Sequence, residues 1–93
     1  MSGDQPQLTS TRPTMNEIFQ TFAMQALVAC GKLPNPLDHK IEVDLLMAEY
    51  HIGVLELLWE KTRGRLSDEE ARGLEELMHQ VHIAFVDARG AKS

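Results

Sequence analysis

The chain has 93 residues, 43% of them hydrophobic and 25% charged, with a formal net charge of −5 and a pI near 5.2. That length supports one domain. The hydrophobic content excludes a wholly disordered chain, and the acidic balance argues against a nucleic-acid module, which would present a basic face.

Residues 1–13 hold Gly3, Pro6 and Pro13 among polar residues. They read as a flexible tail, without the apolar run of a secretory signal. A capping box, Thr14-Met15-Asn16-Glu17, then opens the first helix, expected over about 14–30. From Met15 to Gly31 the only formal charge is Glu17. Phe19, Phe22, Ala26 and Leu27 lead an apolar set with almost no polar side, and such a helix must be covered on several sides. The chain has little material for that cover, so a second copy or a partner is expected to supply part of it. The run is too short for a membrane span, and Gln20, Thr21 and Gln25 interrupt it. Gly31 stands where a left-handed residue ends a helix. Cys30, the single cysteine, excludes an internal disulfide and reads as a buried structural thiol.

Leu33-Pro34-Asn35-Pro36-Leu37 cannot be helical, because each proline pushes its predecessor toward an extended conformation. Pro34 and Pro36 are expected to order a connector running through Val43, with Leu33 or Leu37 as a buried anchor. Ile41 and Val43 are expected to lie extended against the core. About a dozen residues is long for a link within a helical domain. That length would free the second helix from being the tight antiparallel neighbour of the first.

Asp44 is an N-cap for a helix from Leu45 to about Thr62. Leu45, Ala48, Ile52, Leu55 and Trp59 share one apolar face at 100° per residue. Leu46, Met47, Tyr50, Val54, Leu57 and Leu58 carry apolar character round much of the rest. Glu49, Glu56 and Glu60 form the charged stripe and read as a solvated face. Gly64 is expected to close this helix in a left-handed conformation. Ser67 and Glu70 make a second capping box, Leu66 can staple onto Ala71, and Asp68 and Glu69 suit a first turn. The third helix is expected to run to about Ala88 with Ala71, Leu74, Leu77, Met78, Val81 and Phe85 inward. Residues 89–93 read as a frayed tail. No strand run or internal repeat is present. The fold class is therefore all-α: three helices at about 14–30, 44–62 and 67–88, completed by oligomerisation.

Familiar chemistry is missing. There is no glycine-rich phosphate loop, no paired-cysteine motif and no nucleophile elbow. Ser67 is used as a cap, so no catalytic residue is assigned and no enzyme is expected. Glu76-Leu77-Met78-His79 has the Glu-x-x-His spacing of carboxylate-bridged di-iron bundles. Such a site needs a second copy of the motif, which only a dimer could supply. Glu76, His79 and His82 are thus candidates for an alternative metal- or small-ligand-binding bundle at a dimer interface. The favoured reading of these residues is the polar back of an amphipathic helix, with no metal and no cofactor. His39 and His51 read as satisfied or partly exposed. Lys61, Arg63 and Arg65 read as cations complementing a helix C-terminus.

Thr21-Phe22-Ala23, Ala26-Leu27, Gly31, Pro34-Asn35-Pro36, Asp44-Leu45, Ala48, Ile52, Leu55, Glu60-Lys61-Thr62, Gly64, Leu66 and the acids after Ser67 carry a resemblance. At this spacing, from about Phe19 to Val86, the chain resembles the bacterial family known as domain of unknown function 1844. Val81-His82-Ile83-Ala84-Phe85 stands where relatives tend to show Leu-Arg-x-x-Tyr, and Asp38-His39 replaces their usual Thr-Gly. The resemblance implies a small all-helical bacterial protein with no established activity, and it slightly raises a translation- or ribosome-associated role. Physically, each matching residue is explained by folding: Asp44 caps, Gly31 and Gly64 stop helices, Pro34 and Pro36 stiffen the link, and Phe22, Ala26, Leu45, Ala48, Ile52 and Leu55 are helix faces. The expected function is association in the cytoplasm, as homo-oligomer, accessory subunit or adaptor. Nucleic acid is not an expected partner, and neither is a membrane.

Overall fold

Both N-terminal capping boxes form, and they set where the first and third helices begin. The structure, a computed structural model, describes residues 12–92. Most of the tail expected over residues 1–13, and Ser93, lie outside the described residues. Helix α1 spans Met15–Ala29, α2 Leu45–Thr62 and α3 Asp68–Lys92, with a 3-10 turn over Arg63–Arg65 between the last two. The Thr14 hydroxyl accepts from the Glu17 N–H at 3.2 Å, and the Glu17 carboxylate accepts from the Thr14 N–H at 3.0 Å. Ser67 and Glu70 repeat the exchange at 3.1 and 2.9 Å. Asp44 caps α2 by accepting from the Met47 N–H at 3.1 Å. Each cap satisfies a donor that the helix itself leaves unpaired. Ser67→Ala should therefore lower stability by about 1 kcal/mol. Thermal unfolding followed by circular dichroism checks this.

The helices pack as a three-membered bundle with a tapered core. At the wide end, Phe19, Ala23, Ala26, Ile52, Leu55, Leu74 and Val81 are buried together. At the connector end the buried residues are small: Ala29, Cys30, Ala48, Ala84 and Ala88. Small side chains permit close helix approach, because interaxial distance follows the residues at the contact. The inward face expected for α2 is the one observed: Ala48, Ile52 and Leu55 are buried, and Leu45 and Trp59 are half-buried against the core. Phe22 and Leu27 are likewise half-buried beside it.

Four expectations need correction. First, α1 and α2 are antiparallel neighbours despite the long link. The ends of the link are tied together: Cys30 and Val43 form an isolated antiparallel bridge, and the Asp44 N–H donates to the Ala29 carbonyl at 2.7 Å. The extra residues make an excursion outside that tie. Second, Leu37 and Ile41 are exposed, contrary to expectation, while Leu33 is half-buried and Val43 is half-buried against the small-residue cluster as expected. The excursion is still closing at Lys40, so the chain reaches the core only at Val43. Third, Gly64 lies within the 3-10 turn and its φ is not positive. The turn continues right-handed from α2, so no left-handed stop is needed. Fourth, α3 runs to Lys92 rather than fraying after Ala88. Buried Ala84 and Ala88, an ion pair between Asp87 and Lys32, and Arg89 stacked 5.4 Å over the Phe85 ring hold the last turns.

Candidate functional site

The proline excursion shapes a concavity on the surface of the molecule. Within it the Asn35 N–H donates to the Lys40 carbonyl at 2.8 Å, and the His39 N–H donates to the Asn35 carbonyl at 2.7 Å. The Asn35 side-chain oxygen accepts from the Leu37 N–H at 2.8 Å, and the Asp38 carboxylate accepts from the Lys40 N–H at 3.0 Å. Asn and Asp favour such local turns because their short side chains reach the backbone two residues on. His39 takes a left-handed φ of 61° to close the loop.

Held this way, the loop stands as one wall of a half-open groove of about 760 Å³. Thr21, Met24, Gln25 and Val28 of α1 form the floor, Leu33, Pro34, Pro36 and Leu37 the loop wall, and Met47 and His51 of α2 the opposite side. Lys40, Glu42 and Asp44 lie at its edge and are exposed. The lining is mainly apolar. Met24 is 57% exposed and Leu37 91%. The His51 ring faces Phe22 at 6.3 Å and meets Tyr50 edge-on at 5.3 Å. Its Nδ1 is 2.9 Å from the Met47 carbonyl oxygen.

Beside Met47 and His51, the outer face of α2 carries further exposed apolar residues. Leu46, Tyr50 and Leu57 project there at 79%, 64% and 54% exposure. Gly53 lies between them, also exposed, with no atom within 4 Å of where a Cβ would stand. The sequence reading grouped Leu46, Met47, Tyr50 and Leu57 as surplus apolar residues, and the surplus is indeed uncovered within one chain. Leu37, expected as a buried anchor, instead stands exposed on the groove wall. The signal for the α2 face was spacing: Leu46, Tyr50, Gly53 and Leu57 recur at four, three and four residues.

The candidate metal residues do not converge. The Glu76 carboxylate accepts from the Gln80 side chain at 3.0 Å. His79 is exposed, and His82 Nε2 lies 3.4 Å from a Glu56 oxygen while its Nδ1 sits 2.9 Å from the Met78 carbonyl oxygen. Among the described residues no group of three or more His, Cys, Asp or Glu is placed to hold a metal ion. Glu49 and Glu60 are exposed, as are Lys61, Arg63 and Arg65 around the turn. The Cys30 thiol is buried, and burial raises its pKa, partly offset by the nearby Lys32 cation. A protonated, enclosed thiol is a poor nucleophile. No charged or polar side chain is buried among the described residues, so the groove lacks the enclosed polar groups that orient a reacting substrate. No helix among the described residues is long and apolar enough to cross a membrane.

The family model described as Domain of unknown function (DUF1844) matches residues 12–87. No curated protein and no solved structure matches the chain.

Proposed function

We propose that the chain, which belongs to the DUF1844 family, is a small cytoplasmic protein that works by association rather than by chemistry of its own. The observation that carries this reading is the uncovered apolar surface running from the groove across the outer face of α2. Contiguous apolar area of this kind marks an interaction site. Met24 and Met47 suit such a surface, because an unbranched thioether adapts its shape to what packs on it. A small-ligand site would fit the groove's volume. Its charged groups, Lys40, Glu42 and Asp44, however, are exposed, and the Asp44 carboxylate is engaged in capping α2. An apolar protein surface is the better match.

Self-association is the first form of this reading. Light scattering on the purified 10.5 kDa chain at micromolar concentration should give about twice the monomer mass or more. A soluble monomer at all concentrations overturns it. The alternative, a metal-holding bundle built at the dimer interface, would require metal to co-purify in stoichiometric amount and to be lost on His79→Ala.

A further inference from the structure

We infer that a second copy of this chain docks on the outer face of α2, running antiparallel to it, with Tyr50 of each copy seated over Gly53 of the other. The inference rests on the association reading above and specifies where the contact lies.

The first argument is register. Leu46, Tyr50, Gly53 and Leu57 are spaced four, three and four residues apart, the spacing of a coiled-coil seam. The inward face of α2 is a different one, through Ala48, Ile52 and Leu55. A four-three-four pattern reads the same in both directions. An antiparallel copy therefore meets it position by position: Leu46 opposite Leu57, and Tyr50 opposite Gly53. A parallel copy would set ring against ring and glycine against glycine, leaving a bulge beside a gap.

The second argument is shape. Tyr50 is the bulkiest exposed residue of the seam, and His51 braces its ring edge-on at 5.3 Å. Gly53 offers open space where a side chain would stand. Within the monomer nothing calls for a glycine there, since its φ is not positive and no neighbour crowds it. A glycine in a helix interior weakens that helix. Close approach of a second helix supplies the missing reason.

The third argument is area. At their exposures, Leu46, Met47, Tyr50 and Leu57 leave on the order of 500 Å² uncovered, near the top of the range for the largest patch on a monomer. Met24 and Leu37, which share the groove with Met47, bring the surface to roughly 800 Å², about one side of a standard interface. A second copy supplies a matching area by symmetry. The acidic rim of Glu49 and Glu56 would approach its counterpart on the other copy, so added salt should tighten the dimer by screening that repulsion.

The test combines light scattering with cysteine trapping on the full chain. Gly53→Leu and Leu57→Lys should each weaken the dimer at least about tenfold in Kd, the equivalent of losing one good contact. Both should keep the wild-type helical spectrum, because both positions are exposed. Gly53→Leu should even melt higher as a monomer, since it removes a helix-interior glycine. For trapping, Cys30→Ser removes the native thiol. In that background Leu46→Cys combined with Leu57→Cys should form a covalent dimer under mild oxidation, whereas Leu46→Cys alone should not. Cross-linking by the single variant would overturn the antiparallel register. A wild-type dimer untouched by Gly53→Leu and Leu57→Lys, with no trapping, would overturn the seam and leave the association reading standing. A wild-type monomer would overturn both the seam and self-association.

Discussion

Phe19→Ala should remove about 3–5 kcal/mol of stability, the usual cost of emptying a fully buried aromatic site. Phe19 is 0% exposed and lies among Ala23, Leu55 and Leu74, contributed by all three helices. The two other buried α1 residues of that cluster, Ala23 and Ala26, are alanines with no spare length, so neither can refill the cavity. A domain of this size has roughly 5–15 kcal/mol in total. The loss would lower the melting temperature by on the order of 15 °C or more. Thermal unfolding followed by circular dichroism measures it. Phe22→Ala is the control: Phe22 is only half-buried, and its loss should cost clearly less. Equal losses at the two positions would mean that the core is not centred where the structure puts it.

Gly31→Ala should be the most damaging glycine-to-alanine substitution among the described residues. Gly31 has φ +76°, and a Cβ there would stand 2.8 Å from the Val43 Cγ2. The left-handed conformation costs a residue with a side chain about 1–2 kcal/mol. Displacing Val43 adds an overpacking cost, for a total of roughly 2–4 kcal/mol. Val43 is the residue that returns the connector to the core and pairs with Cys30. The damage should therefore spread to the bridge. Hydrogen exchange of the Asp44 amide, which donates to Ala29, should accelerate along with the drop in melting temperature. Gly64→Ala provides the contrast, since Gly64 has no positive φ and no close neighbour. Its effect should fall within a few tenths of a kcal/mol of zero or be slightly stabilising. Comparable losses at the two glycines would contradict the distinction between a left-handed stop and a right-handed turn.

These two glycines illustrate why legibility varied along the chain. Both follow the end of an apolar helical run, where helix termination favours a left-handed residue. That preference held at Gly31, where the chain must reverse to begin the connector. It did not hold at Gly64, where α2 passes into a 3-10 turn and the chain needs no left-handed residue. Glycine permits positive φ without requiring it. Which glycines use that freedom depends on the path of the chain on either side. The candidate site was partly legible in the same sense. The apolar surplus on α2 follows directly from the spacing of Leu46, Tyr50 and Leu57. The groove was not legible, because its walls come from three segments that are distant in sequence: Met24, Leu37 and Met47 meet only once the connector has closed.

What the sequence determines by itself is local. The capping residues Thr14, Asp44 and Ser67 bond to amides three residues away, so their roles are written in spacings that no distant contact has to supply. The inward face of α2 is local in the same way, because 100° per residue sets which side chains share a side. The tertiary structure decided where the long link goes and where α3 stops. The tie between Ala29 and Asp44 makes α1 and α2 antiparallel neighbours. Burial of Ala84 and Ala88 against Ala29, Cys30 and Ala48 carries α3 past the point where composition suggests fraying. Both outcomes depend on contacts between residues far apart in the chain, whose energies appear only after the helices have packed.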